Sequence, residues 1–193
     1  TLPVEDHIEA ATAGYEGDGG PAIDALLFAE IGQQADPSSK LTVSDGMLYL
    51  ADSGNNVIRT IDLDTMIIDR IAGVPWHRDG IDLPAASDPT AGDGGDALEA
   101  YLNNPRDVAV GIDGEVYIAD TDNHCVRVVY ANGEIDTFAG TCGAEPQPGD
   151  AFVGEAEPAV DARLHAPYGV ATDSDGNVYI ADTKNQVIRR VAY

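Results

Sequence analysis

An all-β chain built from three copies of one antiparallel unit is predicted by three observations. Residues 37–59, 105–127 and 167–189 align without a gap, with 15 residues from proline to aspartate and 7 from aspartate to arginine each time. Each copy alternates apolar and polar residues over strand-length runs that break at Asp45-Gly46, Asp113-Gly114 and Asp175-Gly176. A second signature precedes every copy, glycine-rich ahead of the first two and with two glycines lost ahead of the third. Repetition of this kind decides the architecture before any single residue does. A unit too small to bury its own apolar face buries it against the next copy.

The middle copy shows the elements most clearly. Residues 107–110 read as a first strand, closed by the hairpin signal Asp113-Gly114. Residues 115–119 alternate and are rich in β-formers, a second strand. The run Asp120-Thr121-Asp122-Asn123 is a turn, because short polar side chains there bond nearby backbone amides. Residues 125–130 form a third strand, and Asn132-Gly133 turns into a fourth at 134–140. The first copy has the same fourth strand at 67–73.

Between copies the chain is long and acidic. Gly17-Asp18-Gly19-Gly20-Pro21-Ala22 leads to Ala25 and Leu27. Gly92-Asp93-Gly94-Gly95-Asp96-Ala97 leads to Ala100 and Leu102. Gly154-Glu155-Ala156-Glu157-Pro158-Ala159 leads to Ala162 and Leu164. The glycines permit positive φ and a tight path, and the Ala and Leu pair is expected to tuck beneath the loop. Four antiparallel strands per copy with longer loops between copies is the pattern of a β-propeller blade.

These coupled signatures resemble the NHL-repeat family of β-propellers over essentially the whole chain. The carriers are Gly-Asp-Gly-Gly-Pro-Ala, then Tyr179-Ile180-Ala181-Asp182-Thr183 with Asn185 and Arg189, and the closing Ala72-Gly73 and Ala139-Gly140. Members typically have six blades, so the resemblance implies six here. Residues 5–14 end in the same Ala-Gly and read as a lone fourth strand, whereas the third copy stops inside its third strand. Twelve strands make three blades, and three blades cannot close a ring. An open arc would leave apolar faces and unpaired strand edges. The expectation is a six-bladed ring of two chains about a two-fold axis, residues 5–14 of one completing the third blade of the other. The alternative is a fragment of a longer propeller. The chain divides into 1–14 (the donated strand), 15–73, 74–140 and 141–193.

The net charge is −24, from 34 acidic and 10 basic residues. Such a chain repels phosphate, so neither nucleic acid nor an anionic membrane is an expected partner. No apolar run is long enough to span a bilayer, and no leader is expected at Thr1-Leu2-Pro3, which opens polar, acidic sequence as a mature secreted protein or a trimmed chain would. An extracellular or periplasmic location is expected. Pairing the strands around Asn132-Gly133 puts Cys125 opposite Gly140, with Cys142 displaced diagonally. A disulfide is geometrically open, but two free thiols are the expectation.

In a propeller the first strand lines the central channel, and the loops entering it crowd one face. Ser38, Arg106 and Tyr168 directly follow the aligned prolines and differ between copies, which is where a binding site would be encoded. His124 and His165 lie in loops of the same face. Each also reads as an ordinary loop residue. Asp52, Asp120 and Asp182 recur in every copy and are expected to close the turn toward Asn55, Asn123 and Asn185. Arg59, Arg127 and Arg189 are expected to pair with acids of neighbouring strands, and Tyr49, Tyr117 and Tyr179 to pack between blades.

His7, His77, His124 and His165 are scattered, with no zinc-binding spacing. No cofactor is expected. Calcium is the one metal weighed, at Asp93 and Asp96, though the alternating acids of a calcium loop are missing. No phosphate loop or nucleophile elbow occurs. The resulting reading is a non-enzymatic binding or scaffold module that pairs with itself and takes a protein, peptide or glycan ligand. The alternative is a lyase or hydrolase with a channel-mouth site.

Overall fold

Each repeat folds into an antiparallel sheet whose main strands run outward from a shared centre in chain order. The structure is a computed structural model and describes residues 14–28, 40–75, 92–144, 147 and 157–193. The first sheet contains β1 (Gly20–Pro21), β2 (Leu41–Ser44), β3 (Met47–Asp52), β4 (Val57–Asp62) and β5 (Ile67–Ala72), in the spatial order β1-β5-β4-β3-β2. The second contains β6 (Gly95–Asp96), β7 (Pro105–Val110), β8 (Val116–Asp120), β9 (Cys125–Val129) and β10 (Glu134–Ala139), ordered the same way. The third contains β11 (Pro167–Thr172), β12 (Val178–Asp182) and β13 (Val187–Val191). Among the described residues no helix is long and apolar enough to cross a membrane.

Four strands per blade was one too few for the first two blades. The glycine-rich signature adds a two-residue strand outside the fourth, pairing Gly20 with Ile68 and Glu134 with Asp96. Gly17, Gly19, Gly92 and Gly94 have φ of 97°, 76°, 103° and 72°. At Gly92 a Cβ would lie 2.7 Å from Ala100 Cα, so the tight return of the chain excludes a side chain. The expected strand at residues 5–14 lies outside the described residues except for Gly14.

Two registers carry an extra residue. In the outer pair Ile58 faces Ala72 while Arg59 faces Arg70, which leaves Ile71 over, and Phe138 is left over in the same way in the second blade. In the inner pair Arg106 and Tyr168 are left over between Pro105 and Asp107 and between Pro167 and Gly169. A bulge of this kind re-aims the side chain it inserts.

The blades pack face to face. Val108, Val116, Ile118 and Ile135 of the second blade meet Ala51, Ile58 and Ala72 of the first. The alternating positions Ala109, Tyr117, Ala119, Val126 and Val128 face Val170, Val178 and Ile180 of the third. Period-two alternation therefore gives the middle blade two buried faces. The expected tuck of the connector pair is present in two of the three connectors, where Leu102 wedges into the first junction and Leu164 into the second, but not in the first connector, where Leu27 is exposed. Tyr117 stacks edge-on with Phe138 at 4.7 Å, while Tyr179 donates its hydroxyl to Asp173 at 2.9 Å.

The cysteines are not free thiols: Cys125 and Cys142 form a disulfide with Cα atoms 5.0 Å apart. The hairpin register had placed Cys142 beyond Gly140 as though the strand ran on. Instead Gly140 takes φ 88° and the chain turns, and Gly143 donates to the Asn123 carbonyl at 2.7 Å. That turn folds Cys142 back over the start of β9. The bridge closes a loop of 17 residues. Replacing both cysteines by serine should lower stability by about 3 kcal/mol, read as a lower denaturant midpoint.

Candidate functional site

The repeated polar residues form one buried cluster per blade. After β3, β8 and β12 the chain makes a single tight turn that ends in a left-handed residue, Asn56, His124 or Gln186. The turn is closed by an amide-to-carboxylate bond, Asn55 to Asp52 at 2.7 Å, Asn123 to Asp120 at 2.8 Å and Asn185 to Asp182 at 2.9 Å. The second oxygen of each carboxylate accepts a backbone N–H from the arriving connector, Phe28, Asn103 and His165. Arg189 bonds Asp182 at 2.8 Å, and Arg59 and Arg127 lie 3.7 and 3.8 Å from Asp52 and Asp120. Arg59 also pairs with Asp18 at 2.7 Å, and Arg127 with Asp93. These groups tie turn, connector and outer strand together, a structural task repeated in every blade.

Burial pushes the Asp52 carboxyl above its ordinary value, against the pull of Asn55, the Phe28 N–H and Arg59. Asp120, wholly buried, is pushed up to about 6 by burial, with Arg127, the Asn103 N–H and Asn123 opposing.

At the channel mouth the structure brings the non-repeated residues together in pairs. Arg106, raised by its bulge, lies over the Tyr168 ring of the next blade at 4.7 Å. His124 and His165 meet edge to face at 5.5 Å. The Nδ1 of His124 accepts the Ala166 N–H at 3.1 Å. One junction earlier, the equivalent Asn56 accepts the Asn104 N–H at 2.7 Å. His124 is thereby a clasp between blades. Ser53 and Thr121 add a second clasp, donating to the Pro105 and Pro167 carbonyls at 2.5 and 2.7 Å. Ser38, His7 and His77 lie outside the described residues.

Two residues at this face escaped the sequence reading. Asp107 accepts from Lys40 of the first blade at 3.0 Å and from the Val170 N–H of the third at 2.9 Å. Lys40 also donates to the Tyr168 carbonyl at 3.2 Å. The aligned positions are Ser39 and Gly169. A Cβ at Gly169 would stand 3.3 Å from Lys40 Nζ, so glycine leaves room for the pair. The signal was available: this position varies between copies as its neighbour, Arg106 or Tyr168, does. Below it, β2, β7 and β11 line an open channel groove of about 310 Å³, including Thr42, Ser44 and Thr172.

The two acids weighed for calcium have other tasks. Asp93 holds Arg127 and accepts from Thr137 at 2.8 Å, and Asp96 accepts the Leu98 N–H at 2.9 Å. Among the described residues no three His, Cys, Asp or Glu side chains converge to hold a metal.

The fold and its repeated cluster define a blade-repeat protein of the NHL class. Residues 80–148 match the family described as the Teneurin NHL domain. The chain is 33% identical to Teneurin-1 of Mus musculus over 157 residues, which are 77% of this chain and 5% of that protein. It is 35% identical to Teneurin-m of Drosophila melanogaster over 161 residues, 79% of this chain and 6% of that one. It therefore spans only about a twentieth of the length of these relatives. A solved protein of unknown function from Bacteroides thetaiotaomicron superposes with TM-score 0.58 at 24% identity, covering 77% of this chain and 32% of its own. An auxiliary nutrient binding protein from the same organism gives 0.52 at 20% identity, covering 77% and 35%. Those two likenesses concern the fold alone. The chain belongs to the NHL-repeat β-propeller family.

The shift of Asp120 makes stability depend on pH. Below its ordinary value of 3.8 both folded and unfolded chains hold the proton, and this contribution is fully present. As the pH rises through about 6 it is lost, because the unfolded chain has already released its proton. The loss is on the order of 3 kcal/mol. Denaturation between pH 4 and 7 should show it, and Asp120→Asn should remove that part of the slope. His124→Asn should keep the clasp and unfold within about 0.5 kcal/mol of the parent. His124→Phe should lose roughly 1–3 kcal/mol by leaving the Ala166 N–H unmet.

Proposed function

We propose that this chain is a non-enzymatic binding or scaffold module, half of a six-bladed propeller whose ring is closed by a second copy. The observation that carries the reading is the state of β13. In the two complete blades Ile58 and Val126 are fully buried under fourth strands that pair with them through Ala72 and Ala139. The equivalent Ile188 is 71% exposed. Residues 5–14 carry the same Ala-Gly ending, and in the same register Ala13 of the partner would face Ile188. The opposite end is open too: Leu27 is 48% exposed, while Leu102 and Leu164 are 1% and 3%. Ser53, Thr121 and Thr183 all bond the carbonyl two residues back, but only Ser53 and Thr121 also reach a following proline carbonyl, at Pro105 and Pro167, among the described residues. A front face and a back face that both lack a neighbour satisfy each other twice about a two-fold axis.

The repeats would then run 15–73, 74–140 and 141–193, with 1–14 given to the partner. The assembled disc would offer its variable channel-mouth residues, Arg106, Tyr168, His165 and Lys40, to a protein, peptide or glycan. The acidic surface argues against nucleic acid and membrane. The disulfide supports an extracellular or periplasmic location. The match to a family named for a domain rather than a reaction supports a binding task.

Two other readings have support of their own. Further blades of a longer polypeptide could close the same faces, which the small share of the teneurins that is matched favours. A lyase or hydrolase is favoured by the His124 and His165 pair. Light scattering should give about twice the 20.2 kDa chain mass, and removal of residues 1–14 should cause aggregation. A well-behaved monomer would end the two-chain reading. Metal analysis should find no stoichiometric zinc or iron, and finding either would move the assignment to the enzyme.

A further inference from the structure

The two blade junctions are built alike, yet one carries a tyrosine ring at its surface and the other does not. At the junction of the second and third blades, the Tyr193 ring lies against Gly176, where a Cβ would come within 2.8 Å of it. Its hydroxyl donates to Asp113 of the second blade at 2.8 Å. The ring keeps its outer side in solvent. Beside it stand Tyr117 and the bulged Phe138, in edge-to-face contact.

The junction of the first and second blades repeats the glycine, the aspartate and the inner tyrosine of this arrangement, but not the rings of Tyr193 and Phe138. Gly114 stands where Gly176 does, six residues before the repeat aspartate, and has nothing within 4 Å of a Cβ position. Asp45 stands where Asp113 does, seven residues before its aspartate, and is exposed. Its charge acts on the Tyr49 hydroxyl, as that of Asp113 acts on Tyr117. The place of Tyr193, eleven residues after the aspartate, is taken by Ala131, and the bulged Phe138 is replaced by the smaller Ile71. The result is a cleft of about 420 Å³ whose walls include Tyr49, Ile71, Leu98, Tyr130, Gly114 and Ala131. Met47 lines it where the other junction has Glu115, and Thr60, Arg70 and Asp96 line it where the other junction has Val128, Thr137 and Pro158.

We propose that this cleft is a docking site for an exposed tyrosine side chain of a partner protein, its ring on Gly114 and its hydroxyl on Asp45. The chain itself shows the fit, since Tyr193 makes both contacts at the sister junction. A ring with one polar tip suits a cleft whose apolar walls also hold Thr60, Arg70 and Asp96, with the Asp45 carboxylate outside that lining at the position Asp113 has at the sister junction. The cleft lies within a single chain, so the inference does not depend on how the ring is closed.

The test is a titration with N-acetyl-tyrosinamide followed by backbone amide resonances. Shifts should centre on Gly114, Ala131 and Tyr49. N-acetyl-phenylalaninamide should bind about tenfold more weakly, having no hydroxyl for the carboxylate. Ala131→Tyr should fill the cleft and abolish saturable binding. Asp45→Asn, on an exposed turn that tolerates the change, should reduce the preference for tyrosine over phenylalanine. The proposal is overturned if the wild type shows no saturable shift at Gly114 and Ala131, if Ala131→Tyr folds and binds as before, or if Asp45→Asn leaves the preference intact.

Discussion

A carboxylate with no access to water, placed at the same point of every blade, is the constraint on which the rest depends. Asp52, Asp120 and Asp182 each accept from an asparagine amide and from a backbone N–H of an arriving loop, with an arginine alongside. Taking such a group out of water is unfavourable unless every lone pair is met. The partners are consequently not optional. The turn must reach its asparagine, the connector must present its N–H, and the third strand must bring its guanidinium. An apolar core alone would tolerate sliding of one strand by two residues, whereas this polar cluster admits one register.

That fixed register sets what the junctions can be. The first and second blades each extend a clasp from their turn to the backbone at the start of the next first strand, through Asn56 and Ser53 at one junction and His124 and Thr121 at the other. Side chains that take part in clasps or clusters cannot vary freely. Variation is left to the bulged residues and the turn tips. Arg106, Tyr168, Ile71 and Phe138 all sit at an inserted position, and they are the residues that make one junction unlike the other.

Most of the fold was legible in the sequence, because gapless repeats report strand order, turn positions and buried alternation together. The Asp-to-Asn closure could be read from spacing alone, since a turn of three residues puts the two side chains in reach. What was not legible depends on one-residue events. The bulges that lift Arg106 and Tyr168 leave no compositional trace. The two-residue outer strands are too short to show a period. The disulfide was misjudged because the turn at Gly140, not the strand register, sets where Cys142 goes. Asp107 was passed over beside Arg106 although Ser39 and Gly169 mark its position as equally variable. His124 reads as a candidate site residue by type, and its equivalence with Asn56 adds a second task, as an acceptor for the next blade.

The buried guanidinium groups also shape the exterior. Arg59 and Arg127 are withdrawn from solvent entirely, and Arg189 nearly so, leaving few cations among the acids on the outer surface. The molecule must therefore carry a dense cloud of counterions. Two such bodies repel at separations up to the Debye length, about 10 Å at 0.1 M ionic strength. On the proposed two-chain reading, pairing of the end faces would be a short-range attraction behind an electrostatic barrier. Dilute buffers would then hold the molecules apart, and added electrolyte would let them meet.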